Sequence, residues 1–221
     1  GELLEDALGE ELFSHGIWAG RRIVEPTRDA ALEHPLLDAL AVGALVSVEA
    51  ISAAGWREVP ASGFRLWRND EALPRVRLAP GGRGVAREEV DAALRAGGFD
   101  PRADVFWPGD GLVLGEIGPH DEVEVFVDSW NELAVRTISS KSAMLVVADS
   151  WAPGWRATID GAPAEILRVW GVVRGVAVPE GLHEVVFRFE PPGLRLGIAM
   201  SLAGLLLAGT ALTAGARRGT L

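Results

Sequence analysis

From Asp121 to Glu190 apolar and polar residues alternate in short runs separated by turn residues, the two-residue period of half-buried strands. In Glu122–Asp128 (EVEVFVD), Val123, Val125 and Val127 share one face and Glu122, Glu124 and Asp128 the other. LAVRTIS follows, then AMLVVAD, whose unbroken apolar run suits a strand covered on both faces. WRATID, AEILRVW, VVRGVAV and HEVVFRF complete the set, with Asp160-Gly161 as a hairpin dipeptide and Pro179-Glu180-Gly181 as a further turn. The pattern predicts an antiparallel β-sandwich over residues 116–192.

The preceding residues, 1–115, carry a different pattern and predict a mixed α+β region. Glu2–Phe13, Asp29–Val42 and Arg87–Ala96 have helical apolar spacing, while ALVSVE, WREV, FRLWR and RVRLA read as strands. At the other end no charge occurs from Leu196 to Ala216, a run that predicts a transmembrane helix over 194–216 because about 20 apolar residues cover the hydrocarbon core. Arg217 and Arg218 follow it directly, and only Arg195 stands close on the other side. The expected topology is a cytoplasmic C-terminus with the preceding residues outside the cytoplasm. The sequence opens at Gly1 on an acidic amphipathic stretch, so it is expected to be a piece of a longer protein.

Composition narrows the chemistry. The formal charge of −10 disfavours nucleic acid, and the lack of cysteine removes disulfides and zinc–thiolate sites. His15, His34, His120 and His183 are scattered without metal-ligand spacing, no G-x-S-x-G elbow occurs, and the glycines around Pro80–Gly84 lack a phosphate-loop Lys-Ser or Lys-Thr. No catalytic, metal or cofactor residue is therefore expected. Tryptophan is the unusual component, with eight Trp and no Tyr. Trp faces stack on sugar rings but also fill cores and sit at membrane interfaces. Alternation turns Trp155 inward, leaving Trp151, Arg156 and Trp170 as candidate exposed contacts for glycan.

Several stretches resemble, in order, the bacterial YfhO-like membrane proteins. They are His34–Val42 (HPLLDALAV), Leu66–Arg75 (LWRNDEALPR), Arg87–Asp100 with Gly98-Phe99-Asp100-Pro101, Leu145–Trp155 (LVVADSWAPGW) and Phe187–Gly193 (FRFEPPG). The sequence departs from the family pattern at Val42–Ser47, which lacks the usual Arg and Tyr, and at Ser150-Trp151-Ala152, where tyrosines usually precede PGW. The resemblance implies a polytopic protein similar to GT-C glycosyltransferases, taking sugars from polyprenyl-phosphate carriers for cell-envelope polymers. It further implies that the catalytic carboxylate lies in an upstream multi-helix region, and that this chain supplies an extracytoplasmic accessory domain and the last membrane helix. The implied partners are the bilayer, that upstream region and cell-envelope glycan. A membrane-tethered carbohydrate-binding module and a structural scaffold are the alternatives.

Overall fold

The computed structural model describes residues 13–18, 21–26, 29–109, 114–115, 117–194 and 197–205. It is mostly antiparallel β-sheet with few helices. In chain order the elements are β1 (Phe13–Trp18), β2 (Arg21–Pro26), α1 (Asp29–Leu32), α2 (Pro35–Ala39), β3 (Ala44–Ser47), β4 (Trp56–Val59), β5 (Arg65–Asn69), β6 (Val76–Ala79), β7 (Arg83–Val85), α3 (Arg87–Ala96) and β8 (Phe106–Pro108). There follow β9 (Glu122–Asp128), β10 (Glu132–Ser139), β11 (Ala143–Ser150), β12 (Trp155–Ile159), β13 (Ala162–Ala164), β14 (Leu167–Val169), β15 (Val173–Val178) and β16 (Gly181–Phe189).

Two sheets dominate, a five-stranded one ordered β13-β12-β16-β10-β9 and a four-stranded one ordered β14-β15-β11-β6. They face each other because the alternation of each strand buries one side in a common core. Leu133 and Val135 of β10, and Val185 and Phe187 of β16, meet Ala143, Leu145 and Val147 of β11 and Val176 and Val178 of β15. Full burial of such side chains is worth about 1.5–3 kcal/mol each, so this face fixes the strand register. The opposite face of β11, Met144 and Val146, enters a second core with α2, α3, Trp107 and Trp170. The continuous apolar run of β11 is thus covered on both sides, as its sequence predicts.

β6 supplies the fourth strand of the second sheet, pairing antiparallel with β11 from Met144↔Ala79 to Val147↔Val76. The segment AEILRVW, read as one strand, divides into β13 and β14, which belong to different sheets. The Asp160-Gly161 turn takes positive φ at both residues, 50° and 82°, as its hairpin requires.

The helical pattern of Asp29–Val42 resolves into two short helices because Pro35 lacks the N–H that a continuous helix needs and forces a new start. His34 caps that start. Leu36 N–H donates to His34 Nδ1 at 3.2 Å, and His34 Nε2 lies 2.9 Å from Leu94 O, so the neutral ring with its proton on Nε2 satisfies both contacts. Burial, only partly opposed by the Leu94 carbonyl, lowers the His34 pKa from 6.5. The sign follows: the contribution is complete above 6.5 and is lost as pH falls through the lowered folded value. The Asp160 carboxylate raises the His183 pKa instead, so that contribution is present below 6.5 and lost as pH rises through the raised value. His34→Asn, which keeps a cap without titrating, should therefore flatten the loss of stability between pH 7 and pH 5 in urea unfolding. An unchanged pH dependence in that variant would contradict the neutral cap.

The predicted helix of Glu2–Phe13 lies outside the described residues except Phe13, which begins β1. At the other end, residues 197–205 are helical and exposed, among them Ile198, Met200, Leu202 and Leu205. Among the described residues no helix is long and apolar enough to cross a membrane; 195–196 and 206–216 of the predicted span lie outside them.

Candidate functional site at one end of the sandwich

The strand directions bring several sequence stretches to one end of the two sheets. β9 ends there at Asp128, β10 begins there at Glu132, β12 begins at Trp155 and β16 finishes at Phe189. From the facing sheet, β11 arrives with Asp149, and Arg75 stands just before β6, its carbonyl accepting from Ala148 N–H.

A cleft of about 390 Å³ opens here, lined by Arg75, Asp128, Ser129, Trp130, Asp149 and Trp155 together with Leu133. Arg75 grips Asp149 with two parallel bonds, Nε to Oδ1 at 2.8 Å and Nη2 to Oδ2 at 2.9 Å, and reaches Asp128 through Nη1 at 2.6 Å. These bonds raise the Arg75 pKa. Arg174, on β15, donates from Nη2 to Asp149 Oδ2 at 2.5 Å. Its side chain is only 2% exposed, and its guanidinium lies 3.7 Å from the centroid of the Trp155 ring. Burial is the main cause that lowers the Arg174 pKa, with Asp149 opposing it.

Chemically this is a balanced network, two guanidinium groups against two carboxylates. Both Asp149 oxygens accept from guanidinium groups, which leaves that carboxylate committed rather than free to move a proton. Arg174 Nε and Nη1 are buried without hydrogen-bond partners. Among the described residues no group of His, Asp and Glu could hold a metal ion.

Next to the cleft the chain leaves the sandwich. Gly154, at φ 107°, accepts at its carbonyl from Glu190 N–H at 2.8 Å, and a Cβ there would stand 2.6 Å from Glu190 O and 3.0 Å from Pro192 Cδ. The Trp155 and Phe189 rings pack at 5.3 Å between centroids. Two stretches far apart in sequence, APGW and FRFEPPG, are therefore one structural joint. Elsewhere, Asn69 of LWRND donates to Asp38 of HPLLD at 2.7 Å and to Val42 O, so those two stretches also meet.

The residues expected to contact glycan fall in different places. Arg156 is exposed and pairs with Glu190 at 3.3 Å. Trp151 is half-buried at the end of β11, its N–H donating to Val172 O, with Arg168 stacked 3.4 Å from its ring centroid. Trp170 corrects the expectation of an exposed contact, because it is fully buried in the second core. Its Nε1–H donates to Asp104 O at 2.9 Å, and Arg77 lies over its ring. Burial lowers the Arg77 pKa to about 10. Sequence reasoning missed Trp130, whose ring stands 95% exposed at the β9–β10 turn. Its flanks, Ser129 and Asn131, were the available turn signal.

The family model of the bacterial membrane protein YfhO matches residues 123–201. Over those residues the chain is YfhO-like. The YfhO match opens within β9, spans every later strand, and passes through the Gly154–Glu190 joint into the helical residues 197–201. No curated protein and no solved structure matches the chain.

Proposed function

We propose that this YfhO-like chain supplies an extracytoplasmic accessory domain and the last membrane helix of a GT-C-type glycosyltransferase. The enzyme would use polyprenyl-phosphate sugars and act on cell-envelope glycopolymers. In this reading the chemistry lies upstream in the same protein, and the sandwich positions an acceptor glycan or caps the catalytic cavity. The observation that carries it is the family match, which treats the strands and the start of the apolar C-terminal run as one unit belonging to a membrane protein. Leu196–Ala216 would cross the bilayer, with Arg217 and Arg218 on the cytoplasmic side. The ion network supports an accessory role, since both Asp149 oxygens are already engaged. A free-standing carbohydrate-binding module is less well supported, because Trp170 is buried and Arg168 covers one face of Trp151.

The test is made in the full-length protein in membranes. Deleting residues 29–190 should leave binding of the polyprenyl-phosphate sugar intact and abolish transfer to polymer acceptor. Transfer at the parental rate would sink the accessory reading. A C-terminal tag should be protected from externally added protease in intact spheroplasts, and a tag cleaved from outside would reverse the topology.

A further inference from the structure

Trp130 is the most exposed large hydrophobic side chain described in the sandwich, and its position gives that exposure a meaning. It sits at the tip of the β9–β10 turn, at the same end from which the chain departs toward the apolar helix. The connection is direct: Phe189 N–H donates to the carbonyl of the adjacent Asn131 at 2.8 Å. Only Glu190, Pro191, Pro192 and Gly193 separate Phe189 from the helical Leu194.

That linker is short and held. Glu190 N–H is bound to Gly154 O, Leu194 N–H turns back to Pro191 O at 3.2 Å, and two consecutive prolines fix φ. Even a fully extended path from Phe189 to Leu194 spans at most about 18 Å, and the Leu194–Pro191 turn shortens it. The headgroup layer on each side of a bilayer is roughly 5–7 Å thick. A helix entering lipid at its first turns must therefore hold this end of the sandwich close to the headgroups.

Tryptophan is the residue best suited to that layer, with an apolar ring and one polar N–H. The surrounding charges do not form a basic patch. Arg188 pairs with Glu132, Arg156 with Glu190, and Arg75 with Asp128 and Asp149. Contact would thus be made by the ring rather than by attraction to anionic lipid.

We propose that the Asp128–Glu132 turn rests on the lipid headgroup layer with Trp130 as its interfacial anchor. This rests on the membrane-anchored reading above. The absence of cysteine allows a single spin label to be placed by Asn131→Cys, with Glu180→Cys as a control at the far end of β16, nine residues away, or about 30 Å. The full chain is reconstituted into vesicles of phosphatidylcholine, with and without phosphatidylglycerol.

The label at 131 should collide several-fold more with oxygen, relative to an aqueous nickel chelate, than the label at 180, equally in both vesicle types. Adding Trp130→Ala should return it to the value at 180. A water-like label at 131 in chains that float with the vesicles overturns this inference alone. Failure to float overturns the membrane-anchored reading as well. Lipid contact only in anionic vesicles, or persisting in Trp130→Ala, overturns the role of the ring. Immobilisation by soluble cellohexaose without lipid contact would assign Trp130 to sugar instead.

Discussion

Asp149→Ala is expected to remove roughly 3–5 kcal/mol from the stability of the full chain, because it leaves the guanidinium of Arg174 buried without its carboxylate. Asp128→Ala should cost about 1 kcal/mol or less, since Arg75 and Asp128 are both substantially exposed and water replaces the lost partner. The reverse substitution, Arg174→Met, is expected to be mild. Arg174 gains a charge-assisted bond worth about 1.5–3 kcal/mol and stacking on Trp155 worth about 2, but it also buries two nitrogens, Nε and Nη1, without partners, each costing about 1–3. These terms nearly cancel. A methionine would keep the contact with Trp155, and Arg75 would still hold Asp149. Urea unfolding followed by tryptophan fluorescence in detergent measures all three variants. If Asp149→Ala proved as mild as Asp128→Ala, Arg174 would have to be reaching water.

The asymmetry between those two variants has a counterpart in what the sequence could reveal. Local patterns were legible. The two-sided apolar run of β11 and the Asp160-Gly161 hairpin depend on neighbours within a few residues, and each appears in the fold as expected, whereas EVEVFVD forms β9 but its alternation is broken by a register shift opposite Ala134 and Val135 that leaves Val125 exposed. The break at Pro35 was visible in principle, but helical spacing on both sides of it outweighed the missing N–H. Partners distant in the chain were not legible. Trp170 is buried among apolar side chains from other elements with its Nε1–H satisfied by the Asp104 carbonyl, and Arg174 is covered by Trp155 and Phe187 from two other strands, so no local rule marks either as interior. β6 shows strand character in sequence, yet nothing in VRLA specifies that it will pair with β11. The ion network depends on that pairing, since it is what delivers Arg75 to Asp149.

Gly154→Ala should be the most damaging single-atom change at the exit from the sandwich. Its φ of 107° lies where a side chain is strained, at about 1–3 kcal/mol. The added Cβ would also meet Glu190 O at 2.6 Å, Phe189 Cε2 at 2.9 Å and Pro192 Cδ at 3.0 Å. The carbonyl is backbone and Pro192 is a closed ring, so neither can swing aside as a long flexible side chain would. Overpacking of this kind adds about 1–3 kcal/mol, giving an expected loss of about 3 kcal/mol or more, read as a lower urea midpoint with an unchanged slope. Gly161→Ala provides the comparison, because Gly161 also has positive φ, 82°, but nothing within 4 Å of an added Cβ. It should show the backbone cost without the clash. If the two variants lost equal stability, the Gly154–Glu190 joint would not be closely packed. A larger loss at Gly154, accompanied by greater label mobility at Glu190→Cys, would show instead that the glycine is what lets APGW clamp FRFEPPG. That clamp holds the chain where it turns from the last strand toward the apolar helix.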